Sequence, residues 1–280
     1  MCFLCDVKHS AWQSRRGFLL AAAGTTAAAA TTPLLAQVDV GAASSLRNLV
    51  PAGELETAAN QEYSKLLADA KAKGALAPQS HPQLQRLHRI ATRLVPQTAQ
   101  WNSRSQQWRW DVNLIGSKQL NAFCMPGGKI AFYTGILDQL KLSDDEAAMI
   151  MGHEMAHALR EHARSRIAKS KGTGTLLSMG SQLLGLGQLG DVAASIGTQL
   201  LTLRFSREDE TEADLVGLEL AARGGYNPQA SVSLWQKMSQ ASGGAGGPNF
   251  LSTHPSSPDR ILQLQANVPK VQGLYERARS

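Results

Sequence analysis

The segment His153-Glu154-Met155-Ala156-His157 is the part of the sequence best suited to chemistry. Its two histidines are four residues apart, so on a helix they lie one turn apart on the same face. That spacing lets both imidazoles reach one zinc ion, with Zn–N bonds of about 2.0–2.1 Å. Glu154 is turned by about 100° around the helix, beside the metal, where it can take a proton from zinc-bound water. The pattern predicts a hydrolytic zinc site with one ion per chain.

The alternative is a solvent-facing helix that carries two surface histidines. The neighbouring residues 147–151 and 158–159 are apolar, however. An unliganded histidine pair in such surroundings would be half-buried at a cost in desolvation free energy. The composition of the helix therefore favours the metal site.

A hydrolytic zinc has three protein ligands and one open position, so a third ligand has to come from elsewhere in the chain. His162 is the nearest candidate in sequence, five residues after His157. On a continuous helix it would lie about 140° around the axis from His157. We therefore expect His162 to point away from the metal, as a surface or capping residue.

A second predicted helix offers carboxylates instead. Glu210 and Asp214 are four residues apart and share one face of that helix. One of them can bind zinc while the other accepts the second N–H of a ligand histidine. Glu208 and Glu212 are rival ligands on the same grounds, and spacing alone leaves these alternatives open.

Hydrophobic periodicity places both candidate segments on helices. Ser143 and Glu146 form a capping box, which predicts where the histidine-bearing helix begins. The predicted helices cover 54–73, 81–95, 144–169, 206–222, 228–240 and a last segment from 259, with a loosely helical cover over 172–190. The predicted strands cover 108–114, 121–125 and 129–133. The fold class is therefore α+β, mostly helical with a small, mainly antiparallel sheet.

Residues 1–36 have the pattern of an export signal. Arg15 and Arg16 precede the apolar run 20–30, and Ala36 ends a plausible cleavage site. A charged segment, a short apolar segment and a small residue define a secretory signal, and the paired arginines resemble the twin-arginine type. We expect the mature chain to begin near Gln37 and to work in the periplasm.

Composition excludes some classes of function. The net charge of +6 is small and scattered, so the sequence does not indicate a nucleic-acid partner. It is compatible with peripheral contact with an anionic membrane and leaves the oligomeric state open. Cys2 and Cys5 lie in the signal and leave Cys124 alone, so we expect no intramolecular disulfide in the mature chain.

The motifs together resemble the M48 family of zinc metallopeptidases, over roughly residues 81–261. The matching segments, in family order, are Asn121-Ala122-Phe123 with Pro126-Gly127-Gly128, Thr134-Gly135-Ile136-Leu137, His153 to His157, Ser206-Arg207 with 210–214, and His254-Pro255 with Arg260. The resemblance implies a zincin-like peptidase domain over 80–280, preceded by a linker and an N-terminal helix over 37–79. It also implies Glu210 as the third zinc ligand and a catalytic Asp214. Because Glu154 already serves as acid and base, we expect a supporting electrostatic role for Asp214.

The implied activity is that of a zinc-dependent endopeptidase of the cell envelope acting on unfolded or misfolded proteins. Asn121 begins a strand expected to lie at a sheet edge, where an extended polypeptide could pair with it. His254 is expected to face the zinc, either as a fourth ligand that keeps the enzyme latent or as a donor to the oxyanion. Arg260 either clamps a carboxylate near the site or caps its helix. The competing hypothesis is a non-proteolytic, chaperone-like binder or assembly factor that uses the cleft only to hold extended segments.

Overall fold

The computed structural model describes residues 38–171, 200–241, 249–254 and 258–280. The predicted signal over 1–36, the predicted cover over 172–190 and the glycine-rich loop at 243–247 lie outside these ranges. Among the described helices, none combines the length and the apolar character needed to cross a membrane.

Helices make up most of the described chain. They are α1 (Ala52–Ala72), α2 (Pro82–Leu94), α3 (Thr134–Gln139), α4 (Asp144–Leu159), α5 (His162–Lys171), α6 (Arg207–Arg223), α7 (Ala230–Ala241), α8 (Asn249–Thr253) and α9 (Pro258–Arg279). Short 3-10 turns cover Ser45–Leu49, Val95–Gln97 and Ser103–Gln107. The strands are β1 (Asp111–Ile115), β2 (Ala122–Met125) and β3 (Lys129–Tyr133). The α+β class with a dominant helical part is confirmed.

The sheet has the strand order β1-β3-β2 and is mixed rather than mainly antiparallel. The turn at 126–128 joins β2 to β3 as an antiparallel hairpin, as the sequence predicts. β3 also pairs with β1, and this pairing is parallel, with Asp111 opposite Lys129. The geometry of the hairpin is local and is set by its turn. The direction of β1 relative to its neighbour depends instead on which edge of the hairpin β1 joins. This is why the observed sheet is mixed although the predicted sheet was mainly antiparallel.

Helix α4, which carries His153 and His157, is the centre of the fold. Every residue from Glu146 to Leu159 is buried. The predicted capping box is confirmed: the Ser143 hydroxyl accepts from the Glu146 N–H at 3.2 Å, and the Glu146 carboxylate accepts from the Ser143 N–H at 2.8 Å. A helix that is buried around its whole circumference has to be covered on all sides. Here β2, α2, α6 and α7 cover it.

The segment before residue 80 packs closely on this core. The Tyr63 hydroxyl of α1 donates to the Ile130 carbonyl of β3 at 2.5 Å. The Val38 N–H donates to the Glu219 carboxylate of α6 at 2.9 Å, and both residues are buried. The N-terminal helix and the chain before it therefore help to hold the sheet and α6 in place.

The prediction of one continuous helix over 144–169 is wrong. Helix α4 ends at Leu159, and Glu161 has a φ of 58°, a left-handed conformation that is costly for a residue with a side chain. The Asn102 amide donates to the Leu159 carbonyl at 3.0 Å and so caps the end of α4. A new helix, α5, begins at His162.

Candidate active site

Three predicted metal ligands meet between α4 and α6. The Nε2 atoms of His153 and His157 are 3.1 Å apart. Glu210 of α6 places Oε2 at 3.5 Å from the first Nε2 and Oε1 at 3.5 Å from the second. Ligand atoms around a tetrahedral zinc at about 2.0–2.1 Å lie roughly 3.3 Å from one another, so the spacing fits this ion.

Glu208 and Glu212, the rival ligands, do not join this group. Among the described residues, the side chains whose donor atoms converge are His153, His157, Glu210 and His254. Glu212 instead accepts from Arg160 at 2.8 Å. Of the neighbouring carboxylates on α6, the one that joins the group is therefore the one that faces α4.

Glu154 lies beside the ligand group, as its position one residue after His153 predicts. Its side chain is buried, and its Oε1 atom has no hydrogen-bond partner within the described part of the chain. Burial raises the pKa of this carboxyl. A buried, unsatisfied carboxylate oxygen is costly unless something else binds there, and a reacting water would satisfy it.

Asp214 and Arg260 support the ligands from behind. Asp214 Oδ1 lies 3.0 Å from His153 Nδ1, so the carboxylate can accept the second ring proton of that ligand. Arg260 donates to both Asp214 oxygens, at 2.6 and 2.7 Å, and its Nη1 lies 2.9 Å from Glu210 Oε2. Burial alone would raise the pKa of Asp214, but Arg260 and His153 hold it below its usual value. Of the two roles considered for Arg260, these contacts support the clamp.

Trp235 was not anticipated from the sequence. The guanidinium carbon of Arg260 lies 3.6 Å from the centre of its ring, a stacked cation–π contact. This tryptophan sits on α7, far from any motif, and no local pattern marks it. It keeps the planar Arg260 fork facing the two carboxylates.

His254 completes the group of four. Its Nδ1 lies 3.0 Å from Glu210 Oε1 and 3.3 Å from His153 Nε2. Its ring stacks on Phe250, with centroids 4.4 Å apart, and its Nε2 lies 3.5 Å from Glu154 Oε1. One ring nitrogen of His254 therefore faces Glu210 and His153, and the other faces Glu154.

The electrostatics of the site suit a cation. Three buried carboxylates, those of Glu154, Glu210 and Asp214, face one buried guanidinium, that of Arg260. Burial alone would lower the pKa of His153, but hydrogen bonds to two of these carboxylates raise it to about 9. A divalent ion would balance this excess of negative charge. The donor set and its charge thus fit zinc.

Among the described residues, His162 is not one of the converging donors, as expected for a residue that points away from the metal, but it is not the surface or capping residue that was predicted. It is buried, and its Nδ1 lies 2.9 Å from His157 Nδ1. The break after Leu159 turns the chain, so the helical angle of 140° no longer applies. No sequence signal marks that break, because it depends on contacts with distant residues such as Asn102.

Asn121 lies on the wall of the cavity in front of the ligands. The cavity is bordered by residues 121–126 on one side and by Glu154 and His157 on the other. The Asn121 carbonyl accepts from the Tyr133 N–H at 3.0 Å, which continues the β2–β3 pairing by one residue. The strand predicted to receive a peptide therefore runs along a cavity that Glu154, His157 and His254 also line.

The chain is similar in sequence to several known proteins. The mitochondrial metalloendopeptidase OMA1 of Schizosaccharomyces pombe is 33% identical over 199 residues, which cover 70% of this chain and 56% of the relative. The metalloprotease LoiP of Escherichia coli is 27% identical over 197 residues, covering 69% of this chain and 73% of the relative. The beta-barrel assembly-enhancing protease of Escherichia coli is 30% identical over 165 residues, which cover 54% of this chain and 33% of the relative.

The chain spans about half the length, or less, of the mitochondrial relatives it matches. The family described as Peptidase family M48 matches residues 80–268, well over half of the chain. The match includes every site residue discussed above. The chain therefore belongs to peptidase family M48.

Proposed function

We propose that the protein is a zinc-dependent endopeptidase of the cell envelope that cleaves unfolded or misfolded proteins. The observation that carries the proposal is the convergence of His153, His157 and Glu210 beside the buried carboxylate of Glu154. Membership of a metallopeptidase family supports it, and so do the names of two relatives, a metalloendopeptidase and a metalloprotease.

Each side chain has a distinct task in this reaction. His153, His157 and Glu210 would hold zinc, which when bound supplies a Lewis acid for the scissile carbonyl and the attacking water. Glu154 accepts the proton of that water on its carboxylate and delivers it to the leaving amine. The raised pKa of Glu154 favours this shuttle, because the carboxylate binds the proton more firmly than an exposed glutamate would.

Asp214 and Arg260 prepare the site rather than react. Asp214 accepts the Nδ1 proton of His153 and so leaves the Nε2 lone pair directed at the metal. Arg260 holds this carboxylate and Glu210 in one geometry. We therefore assign Asp214 the supporting electrostatic role that follows from Glu154 acting as both acid and base.

Edge strand β2 supports the choice of extended polypeptides as substrates. Its residues Asn121, Phe123 and Met125 direct their backbone groups towards β3, so those of Ala122 and Cys124 face the opposite edge. Among the described residues, no strand occupies that edge. A peptide added there would bind through its backbone, which tolerates many sequences but requires an unfolded chain. Asn121 would contact such a substrate.

His254 supports a resting state that is closed. Its Nδ1 atom lies 3.0 Å from Glu210 Oε1, close enough to serve as a fourth ligand, and its Nε2 lies 3.5 Å from Glu154 Oε1. A water or a substrate carbonyl needs that same space. We therefore favour latency over the oxyanion-donor role: cleavage requires His254 to withdraw.

The envelope location is supported by the sequence of residues 1–36. Replacing Arg15 and Arg16 with lysine should keep the chain in the cytoplasm, because the paired arginines are the recognised feature of twin-arginine signals. Fractionation of cells producing either form tests this. Recovery of the wild-type chain in the cytoplasm alone would contradict the location without affecting the chemistry.

Glu154→Gln tests the chemistry. The variant should bind zinc with wild-type stoichiometry but cleave casein about 10²–10⁴-fold more slowly, because it cannot accept the proton. Treatment of the wild type with a zinc chelator should also stop cleavage, and added zinc should restore it. If the variant supports the cellular function as well as the wild type does, the protein acts instead as a chaperone-like binder or assembly factor.

A further inference from the structure

The turn between α4 and α5 places a second histidine behind a metal ligand. Glu161, in its left-handed conformation, forms ion pairs with Arg164 and Arg47, which lies 3.4 Å away. These contacts offset the backbone cost of a positive φ in a side-chain-bearing residue. The result is that His162 comes back to His157, with ring centroids 5.0 Å apart.

The contact between the two rings has a definite polarity. His157 directs Nε2 at the other ligand atoms, so in its neutral form the ring proton is on Nδ1. His157 Nδ1–H then donates to His162 Nδ1 across 2.9 Å. For His162 to accept there, its own proton has to be on Nε2, and that atom lies 3.3 Å from Glu212 Oε2.

Glu212 is in turn fixed from the other side. Its Oε2 accepts from Arg160 Nε at 2.8 Å, and the Arg160 guanidinium also donates to the Gly41 carbonyl at 3.0 Å. The hydrogen bonds thus run without conflict from the ligand His157 through His162 to a carboxylate. His153 has the same support in a shorter form, because Asp214 accepts from it directly.

We propose that His162 and Glu212 are positioning residues that orient His157 for metal binding and set its tautomer. The inference rests on the proposed function, since it assumes the metal. Hydrogen-bond partners of ligand histidines fix ring orientation, and losing one typically weakens metal affinity about 10–100-fold. A purely structural role for His162, filling space between α4 and α5, would have no such effect.

Two substitutions of His162 separate these roles. His162→Asn keeps an acceptor close to the position of Nδ1 but loses the ring. His162→Phe keeps the ring but cannot accept a hydrogen bond. If His162 positions His157, the Phe variant should bind zinc about 10–100-fold more weakly than the wild type, and the Asn variant should stay within a few-fold of it.

A second pair of substitutions tests the role of Glu212 in the same way. Glu212→Gln should weaken zinc binding, whereas Glu208→Gln, which removes the same charge from an exposed position on the same helix, should not. The readouts are the zinc dissociation constant by competition with a chromophoric chelator, the visible spectrum of the Co²⁺-substituted protein, and the Tm of the metal-free protein. The Co²⁺ spectrum should change in the Phe variant and remain close to wild type in the Asn variant.

A Phe variant that binds zinc as tightly as the wild type would overturn the inference. So would equal losses in the Phe and Asn variants that follow the fall in metal-free Tm, because that pattern describes packing. These outcomes leave the proposed function intact. A wild-type chain that binds no stoichiometric zinc would instead overturn the proposed function, and this inference with it.

Discussion

Gly152 of α4 and Gly217 of α6 face each other where the two helices cross. A Cβ atom on Gly217 would lie 2.6 Å from the His153 backbone nitrogen, and one on Gly152 would lie 2.7 Å from the Gly217 carbonyl oxygen. No side chain fits at this crossing. The missing side chains let α6 approach closely enough for Glu210 to reach the two histidines of α4.

Gly217→Ala should therefore damage both stability and metal binding. The added methyl group has to push α4 and α6 apart, at a cost of about 1–3 kcal/mol. Thermal unfolding of the metal-free protein and a zinc titration measure the two effects. Gly53→Ala in α1 is the matched control, since a Cβ there meets nothing within 4 Å. Equal Tm values for the two variants would contradict the role assigned to the crossing.

Arg260→Gln should destabilise the metal-free protein more than the zinc-loaded one. The substitution leaves Asp214 and Glu210 buried without their cationic partner, which typically costs about 3–5 kcal/mol. Bound zinc supplies positive charge beside the same carboxylates and offsets part of this loss. Differential scanning calorimetry with and without zinc tests the difference, with the exposed Arg277→Gln of α9 as control. A loss that zinc does not reduce would count against the electrostatic account.

His254→Ala should increase the rate of casein cleavage. The imidazole fills the space next to Glu154 that the substrate carbonyl needs, and alanine leaves that space open. Initial rates at saturating zinc provide the measurement. The double variant with Glu154→Gln should be inactive, which shows that any gain comes from this site. Lower activity in the single variant would indicate an oxyanion donor, and unchanged activity would exclude both roles.

Glu146→Gln should lower the free energy of unfolding at neutral pH by about 1–2 kcal/mol, because it weakens the capping box and the contact with Lys237 at 2.7 Å. Burial alone would raise the pKa of Glu146, but hydrogen bonds from Lys237 and Ser143 hold it below its usual value. A depressed folded-state pKa means that the stabilisation is present above the unfolded pKa of about 4.3. It is lost as the pH falls through the folded value.

Denaturant unfolding of wild type and Glu146→Gln between pH 7 and pH 3 measures this effect. The difference in free energy of unfolding between the two proteins should be largest near neutral pH. It should become smaller as the pH falls through the folded-state pKa of Glu146. Glu54→Gln is a suitable control, because Glu54 occupies the same third position of α1 but is exposed and takes part in no side-chain cap. A difference in free energy of unfolding that stays constant down to pH 3 would argue against the charged capping box.

What the sequence alone determined was local. The four-residue spacing of His153 and His157 is a property of any α-helix, and a capping box requires only four consecutive residues. The hairpin of β2 and β3 follows from one turn. These features were predictable because the interactions that create them lie within one or two turns of chain.

Contacts between segments that are distant in sequence depended on the tertiary structure. Glu210 was preferred over Glu208 and Glu212 by the direction in which α6 crosses α4, which depends on the close approach of two glycines. His162 was brought against His157 Nδ1 by contacts that end one helix and begin the next. Trp235 came to lie under Arg260, and β1 joined the sheet in parallel, through packing that no local pattern encodes. The geometry of these long-range contacts is set by the packing of the whole core, so it appears only when the chain has folded.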